Sequence, residues 1–308
     1  MKKEFIWAEK YRPKILKDLV LPKDYLLKFK SFIEKKEIPN LGLWGSPGIG
    51  KDSLTNVIVN YLNTDTLIIN GSKENGIDVV RYQIDEFARQ VPQKGKFKLI
   101  VISEFDMFTY NAMTSLRYLI EETSSNARFI VSGNYKEKII DPILNRFYNI
   151  DFDMIFQEQK YFEELRKRAI KRCTSILDNE NIEYDKDDVT KVVNILYPSI
   201  RQMLIFLQNN IVDGKLVINE LPLDFNSELI KVIEDGDYSI IRDFVDRKVT
   251  NEEILFKTIY ENIIEMVDED RILDFVKMIN DYQDSVYMAK VKKIPLLAML
   301  LEMRDYIK

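Results

Sequence analysis

Four short strand-like runs of buried-type residues punctuate the first half of the chain, and such strand signals fade in the second. Leu41–Trp44, Thr66–Ile69, Leu99–Ile102 and Phe129–Val131 are too short for helices and are bounded by polar or turn residues. That is the pattern of parallel strands covered on both faces. Between them, Leu54–Leu62 and Val79–Arg89 carry apolar residues at helical spacing. The alternation predicts an α/β fold with a parallel sheet between helical layers. Beyond about Phe152 the strand signals fade. Glu158–Leu177, Asp185–Leu196 and Ile200–Ile211 read as helices, the first with a basic face. Asp213-Gly214 and Pro222 mark a break. From Ser227 to Ile307 the helical pattern is amphipathic and rich in Ile, Leu, Met, Phe and Tyr. The expected division is a sheet domain over 1–152, a small helical domain over 153–223 and an all-α domain over 224–308.

The first expected strand runs into Gly45-Ser46-Pro47-Gly48-Ile49-Gly50-Lys51-Asp52-Ser53. This fits the phosphate loop G-x-x-x-x-G-K-[ST] everywhere except its last place. The glycines let the backbone turn several N–H groups inward, and the following helix presents its N-terminus to the same point; both favour an anion. Lys51 is placed to reach the β- and γ-phosphates of a nucleoside triphosphate. The last place should hold a hydroxyl for magnesium, and it holds Asp52.

A second element follows in Lys98-Leu99-Ile100-Val101-Ile102-Ser103-Glu104-Phe105-Asp106. An apolar strand ends in acidic residues at its C-terminal end, where open α/β sheets bind ligands. The usual form closes this strand with an Asp that helps hold magnesium, then a Glu that orients water. Here Ser103 replaces the Asp and Glu104 is kept. The two departures mirror each other, a carboxylate in the hydroxyl's place at 52 and a hydroxyl in the carboxylate's place at 103. The sequence therefore suggests that Asp52 and Ser103 share one Mg2+ with exchanged roles, against the rival of a decayed site. A carboxylate about 4 Å from phosphate oxygens is repelled by roughly 4 kcal/mol at an effective dielectric near 20. A divalent ion between them reverses that sign, so nucleotide binding is expected to depend on magnesium.

Composition narrows the chemistry. The chain has 308 residues, 46% hydrophobic and 31% charged, with no histidine and a formal net charge of −5. Acid–base catalysis by His and His-ligated metals are excluded. Binding to nucleic acid must come from a local basic surface. The single cysteine, Cys173, allows no intrachain disulfide and suits a reducing cytoplasm. No apolar run is long enough to span a bilayer, and Met1-Lys2-Lys3-Glu4-Phe5 lacks a signal-peptide core.

Trp7-Ala8-Glu9-Lys10-Tyr11-Arg12-Pro13, followed by Leu19-Val20-Leu21-Pro22, resembles the N-terminal box of the sliding-clamp loader ATPases of the AAA+ class. Ile77-Asp78-Val79-Val80-Arg81 and Leu116-Arg117-Tyr118-Leu119-Ile120-Glu121 extend the likeness, and Glu104-Phe105-Asp106 is most similar to the large subunit of T4-like phage clamp loaders. Motifs carry the resemblance from Trp7 to about Gln208, and length and helicity carry it beyond. It implies an AAA+ nucleotide-binding domain, a helical lid and an oligomerising collar in the order of the three expected domains. ATP and Mg2+ are the implied cofactors, with Tyr11, Arg12 and Pro13 at the adenine and the loop from Gly45 to Ser53 around the phosphates. Asn134 sits at the first-sensor position. Arg146, in Leu144-Asn145-Arg146-Phe147, sits where the family has the Ser-Arg-Cys arginine finger, with only the Arg retained. Arg201 sits at the second-sensor position, at a helix start, where a cation needs a phosphate to answer it. The implied catalytic set is Lys51, Glu104 and Arg146.

The resemblance also implies surfaces. Met107, Phe108 and Tyr110 lead into the helix that touches the clamp, and Arg81 faces the DNA channel, where a phosphate contact is sequence-independent and salt-sensitive. The cluster Arg166, Lys167, Arg168, Lys171 and Arg172 lies near Glu158, Glu163 and Glu164, so a solvated face is the simpler reading. The runs Ile254–Phe256, Ile263-Ile264 and Ile294–Leu301 serve either a joint between subunits or the domain's own core. The expected protein is the ATPase subunit of a sliding-clamp loader for phage-type DNA replication. Its expected partners are the clamp, primer-template DNA and companion subunits in a five-membered ring. The expected location is the cytoplasm, that of the infected host if phage-encoded. The alternatives are a non-hydrolysing structural subunit of the same assembly, or another AAA+ machine such as a helicase loader or branch-migration motor.

Overall fold

The computed structural model describes residues 5–218, 225–249 and 252–307. Two compact units divide the chain, Met1–Leu221 and Pro222–Lys308. The first unit opens with α1 (Trp7–Lys10) and α2 (Lys23–Lys35), then alternates β1 (Leu41–Trp44), α3 (Lys51–Leu62), β2 (Thr66–Asn70), α4 (Asp85–Arg89), β3 (Lys98–Ser103), α5 (Tyr110–Glu122), β4 (Ala127–Gly133), α6 (Asp141–Leu144) and β5 (Tyr148–Asp151). It closes with α7 (Phe152–Gln157), α8 (Gln159–Asn179), α9 (Lys186–Leu196), α10 (Ile200–Asn209) and a hairpin of β6 (Ile211–Val212) and β7 (Lys215–Leu216).

The five long strands form one parallel sheet in the order β2-β3-β4-β1-β5. Side chains alternate between its faces. Leu41, Leu43, Leu99, Val101 and Ile130 join one core with Leu54, Val57 and Ile58 of α3. Ile100, Ile102, Phe129 and Val131 join the other with Met113, Leu116 and Ile120 of α5. Each fully buried side chain of this size contributes about 1.5–3 kcal/mol, so the strand register is fixed from both sides. The expected sheet with helices on both faces is what the sequence folds into.

Three details differ from the sequence expectation. β5 carries one buried residue among four, with the pattern of an edge strand, and its short polar run hid it. Val79–Ile84 forms a wide turn of π-helix leading into α4, where one helix was expected. Asp213-Gly214 is the turn of the β6–β7 hairpin, both residues having positive φ (49° and 79°), as a two-residue hairpin turn requires.

The expected boundary at 152 falls at the junction of β5 and α7, inside the first unit. Leu165, Ala169 and Cys173 of α8 and Met203 and Leu207 of α10 belong to the same buried cluster as the sheet face. The break expected near Pro222 coincides with the division of the two units, though Pro222 itself lies outside the described residues.

The second unit comprises α11 (Phe225–Asp235), α12 (Tyr238–Arg247), α13 (Glu252–Thr258), α14 (Ile272–Met288) and α15 (Lys293–Met303). Leu229, Ile241, Phe244, Phe275 and Leu300 lie in its core. So do Leu255, Ile263, Leu296 and Met299, which assigns most of the apolar runs from the sequence to that core; Ile294 is exposed, and Ile254's side chain lies outside the described residues. Among the described residues, no helix is long and apolar enough to cross a membrane.

Candidate functional site

The C-terminal ends of β1, β3 and β4 open onto a cleft, closed on one side by the N-terminal segment and on another by the start of α10. Tyr11, Arg12 and Pro13 line it, with Pro47, Gly48, Ile49, Gly50, Lys51, Asp52 and Ser53 of the loop, Glu104 after β3, Asn134 after β4, and Arg201 of α10. Residues separated by up to 190 positions in sequence thus meet at one place. Gly45 and Ser46, also expected at the phosphates, lie at the base of the loop and do not line the cleft. Sequence reasoning missed Ser132 and Arg172 as lining residues. The signal for Arg172 was present but was read as part of a basic helix face.

Gly48 shows why the loop has its composition. Its φ is +83°, and a Cβ there would stand 2.7 Å from Ser199 Oγ and 3.3 Å from Arg201 Cβ. The loop tip therefore touches the start of the lid helix. Ser199 caps that helix by accepting the Gln202 N–H at 3.4 Å. The N-terminal segment is tied to the same helices. The Trp7 N–H donates to Gln208 Oε1 (2.8 Å), Tyr11 hydroxyl donates to Glu180 (2.7 Å), and Arg172 donates to the Tyr11 carbonyl (2.7 Å) while pairing with Asp18 at 3.3 Å. Burial, then the Glu180 bond, raises the Tyr11 pKa.

Lys51 is buried, at 7% exposure, and folds back on the loop. Its ammonium donates to the carbonyls of Gly45 (2.5 Å) and Ser46 (2.8 Å) and to Asn134 Oδ1 (3.0 Å). Burial holds its pKa below the ordinary lysine value, against the opposing pull of Asp52, Asp153 and Asp106; Arg201 lowers it further. Asp153 accepts the Ser46 N–H at 2.9 Å, so a loop donor is answered by an internal carboxylate. Asp106 is buried with neither carboxylate oxygen hydrogen-bonded, packed close to Gly133. The site gathers carboxylates around one ammonium, and a bound polyphosphate would add to them unless a cation comes with it.

Glu104 has the positive φ of 53° and lines the cleft. Its carboxylate accepts from Asn70 Nδ2 at 3.1 Å and from the Ser72 hydroxyl. The exit of β2 passes directly beneath it, since a Cβ on Gly71 would lie 2.2 Å from the Glu104 carbonyl. These two bonds leave lone pairs of the carboxylate free to hold a water.

Asp52 and Ser103, expected to share one Mg2+, have different partners. Ser103 donates to the Ile69 carbonyl at 3.4 Å and does not line the cleft, whereas Asp52 accepts from Ser132 of β4 at 3.4 Å. The reason is topological. β4 lies between β3 and β1, and α3, which starts after β1, packs against β4. Among the described residues, no cluster of three or more carboxylates, thiols or imidazoles is arranged to hold a metal.

Other expected residues sit apart from the cleft. Arg146 is half-buried, ion-paired with Glu121 of α5 and donating to the Pro142 carbonyl at 2.5 Å. Arg81 is exposed on the turn after β2. Met107 and Tyr110 are exposed at 45% and 71%, but Phe108 is buried against Phe105 with ring centroids 5.0 Å apart. Phe108 is therefore a core residue and no surface anchor, because it belongs to the buried cluster that holds Phe105 with Ala112 and Leu116 of α5. The basic face of α8 is largely internal in its pairing: Arg166 approaches Glu163 at 4.0 Å, Arg168 bonds Glu164 at 2.8 Å, and Arg172 reaches into the cleft.

Comparison with known proteins agrees with this geometry. Residues 41–154 match the ATPase family associated with various cellular activities (AAA). The replication factor C small subunit of Saccharolobus solfataricus is 30% identical over 98% of this chain and 95% of its own length. That of Sulfurisphaera tokodaii is 34% identical over 71% of this chain and 66% of its own length. Among solved structures, the RuvB Holliday junction branch migration motor of Thermotoga maritima superposes with a TM-score of 0.51 at 17% identity, over 80% of each chain, a likeness of fold alone. The chain is an AAA ATPase and belongs to the family of replication factor C small subunits.

Proposed function

We propose that this chain is the ATPase subunit of a sliding-clamp loader, which uses ATP to open a ring-shaped clamp and place it on primer-template DNA. The observation that carries the reading is the cleft itself, where the N-terminal box at Tyr11–Pro13, the phosphate loop, Asn134 and the lid's Arg201 converge. Kinship to replication factor C small subunits over nearly the whole chain supports it. Lys51 leaves the loop carbonyls for the phosphates, Asn134 and Arg201 read the nucleotide, and Glu104, held by Asn70 and Ser72, orients water. Arg146, released from Glu121, reaches the nucleotide of a neighbouring subunit, where such a cation stabilises transferring phosphate. Arg81 contacts the DNA backbone, and Met107 with Tyr110 contacts the clamp. Mg2+ accompanies the triphosphate and neutralises charge on it. Companion subunits complete a five-membered ring. The Glu104-Phe105-Asp106 run supports a phage-type replisome and the cytoplasm of its host as the setting.

The test is the ATPase rate of the assembled loader, alone, with clamp, with primed DNA, and with both. The expected result is stimulation greatest with both together. A second reading, a nucleotide-binding subunit that does not hydrolyse, is favoured by Ser103 in place of the strand-closing Asp. A rate of zero under all four conditions, with nucleotide still bound, would select it.

A further inference from the structure

The sheet register places two serines side by side at the mouth of the cleft. Ile102 of β3 pairs with Val131 of β4, so Ser103 and Ser132 follow on adjacent strands. Each shares its parity with residues of the core face on which α3 lies: Leu99 and Val101 on β3, Ile130 on β4. Their hydroxyls nevertheless turn opposite ways. Ser103 leans outward to the Ile69 carbonyl of β2, and Ser132 leans inward to the Asp52 carboxylate. Both contacts are 3.4 Å, longer than the usual O–H···O distance of about 2.7–2.8 Å, so neither hydroxyl is locked and direction is what separates them.

Ser132 is buried at 5% exposure, yet it lines the cleft beside the exposed Asp52. A small hard cation wants oxygen ligands, and Mg2+ is held by one or two protein groups together with phosphate oxygens and water. Neighbouring ligands of an octahedral Mg2+ with bonds of about 2.1 Å stand about 3 Å apart. The Asp52 and Ser132 oxygens, 3.4 Å apart, are close to that spacing as they stand. Ser103 is one strand farther from α3, and its hydroxyl is shorter in reach than the Asp that ordinarily closes this strand.

We propose that Asp52 and Ser132 together form the divalent-cation site of this chain, the carboxylate coming from the start of α3 and the hydroxyl from the end of β4, with Ser103 outside the ion's ligand set. This rests on the reading of the cleft as a nucleoside-triphosphate site and specifies its metal. It also accounts for a carboxylate at position 52. Without a cation Asp52 repels the triphosphate, and with one it becomes the strongest protein ligand.

The experiment measures binding of a fluorescent, non-hydrolysable ATP analogue to the full-length chain in excess Mg2+ and in EDTA, and counts bound Mn2+ by electron paramagnetic resonance with the unlabelled analogue present. Wild type should bind the analogue at least tenfold tighter with Mg2+ than with EDTA. Asp52→Asn should abolish most of that ratio while leaving or improving the affinity in EDTA, an outcome that a merely damaged fold does not give. Ser132→Ala should reduce the ratio several-fold and weaken Mn2+ binding, with EDTA affinity unchanged. Ser103→Ala should leave both readouts as in wild type. A loss of metal dependence in Ser103→Ala with none in Ser132→Ala overturns the assignment. Wild type that binds equally well with and without metal overturns the cation site but leaves the nucleotide reading standing. Wild type that binds nothing under either condition removes both.

Discussion

The two units differ in what they bury. In the first, polar groups are driven inside: Lys51, Lys98, Asp106 and Ser132 are all buried, and three of these four gather at one end of the sheet. In the second, Thr258 is the buried polar residue among those described, while Leu273, Tyr287 and Met288 of α14 and Ile294 of α15 stand 65–87% exposed. Lys98 shows what an ordinary buried cation looks like, with Asp65 at 3.0 Å as its partner. Lys51 instead has backbone carbonyls and an amide oxygen, a set of partners a phosphate displaces. The first unit thus buries a charge whose partners at the cleft are all neutral oxygens. The second buries little that is polar among the described residues, and large exposed apolar side chains are found on both units.

The sharpest test of this division deletes a core ring from the second unit. Phe275 is 1% exposed in a helical core, so Phe275→Ala should cost about 3–5 kcal/mol in denaturant unfolding of that unit. Nucleotide affinity should stay within about twofold if the units are as separate as their cores indicate. A large loss of nucleotide binding would break the comparison.

Next in size is Lys51→Ala. Removing the ammonium leaves the phosphates facing Asp52, Asp106 and Asp153 without their counter-charge. The affinity for a triphosphate should fall at least about 100-fold, or about 2.7 kcal/mol, by equilibrium titration. Thermal stability in the absence of nucleotide should hold or rise, because a buried cation without a carboxylate partner is costly to the empty fold. A fall in stability of the nucleotide-free chain would show that Lys51 is structural.

Gly48→Ala should come third. The left-handed backbone costs about 1–2 kcal/mol with a Cβ, and the added carbon meets Ser199 Oγ at 2.7 Å. Loop and lid helix must separate slightly. Nucleotide affinity should drop roughly tenfold in titration, with little change in the second unit's unfolding.

The first unit's chemistry was written in its sequence more legibly than its geometry. Residues 41–44 and 98–103 form strands where apolar runs stood alone, since a strand buried on both faces has no periodicity to confuse it. Lys51, Glu104, Asn134 and Arg201 all reached one cleft because the phosphate loop and strand ends fix their places. What local pattern could not supply depended on neighbours across strands. Which serine meets Asp52 is decided by β4 lying between β3 and β1, a fact no local pattern holds. Phe108 sits two residues before the start of α5 with no mark to say that it is buried. In the second unit, apolar runs spoke of helices but could not divide core from surface, because α15 is apolar nearly all round.

A smaller effect on stability, but a diagnostic one, is expected from Tyr287→Ser with Met288→Ser. Both side chains are more than 80% exposed, so unfolding free energy should change by no more than about 0.5 kcal/mol. If this surface joins subunits, the sedimentation of the chain with its partners should shift toward free components. An unchanged assembly would leave these two side chains facing nothing but solvent.

The smallest effect sets the two properties of Lys51 against each other. Burial lowers its pKa in the empty fold relative to 10.5 in the unfolded chain. Between those two values the unfolded state holds more protons than the folded one, so this group's contribution to stability rises with pH across that window. A bound triphosphate pulls the pKa back up, so binding takes up a proton there and affinity falls as pH climbs through the lowered value. Stability and affinity should slope in opposite directions. Cys173 complicates the first slope: burial raises its thiol to about 12 from 9.0, so its contribution is lost as pH rises through that range. The difference between wild type and Lys51→Met cancels the thiol and isolates the lysine. That difference in urea unfolding should move in favour of wild type as pH rises toward 10, by at most about 1.4 kcal/mol per pH unit. Over the same range the nucleotide affinity of wild type should fall a few-fold, and its binding enthalpy should vary with the buffer's ionisation enthalpy. Slopes of the same sign would mean that the ammonium's surroundings, in the empty cleft, already resemble the phosphate it is built to hold.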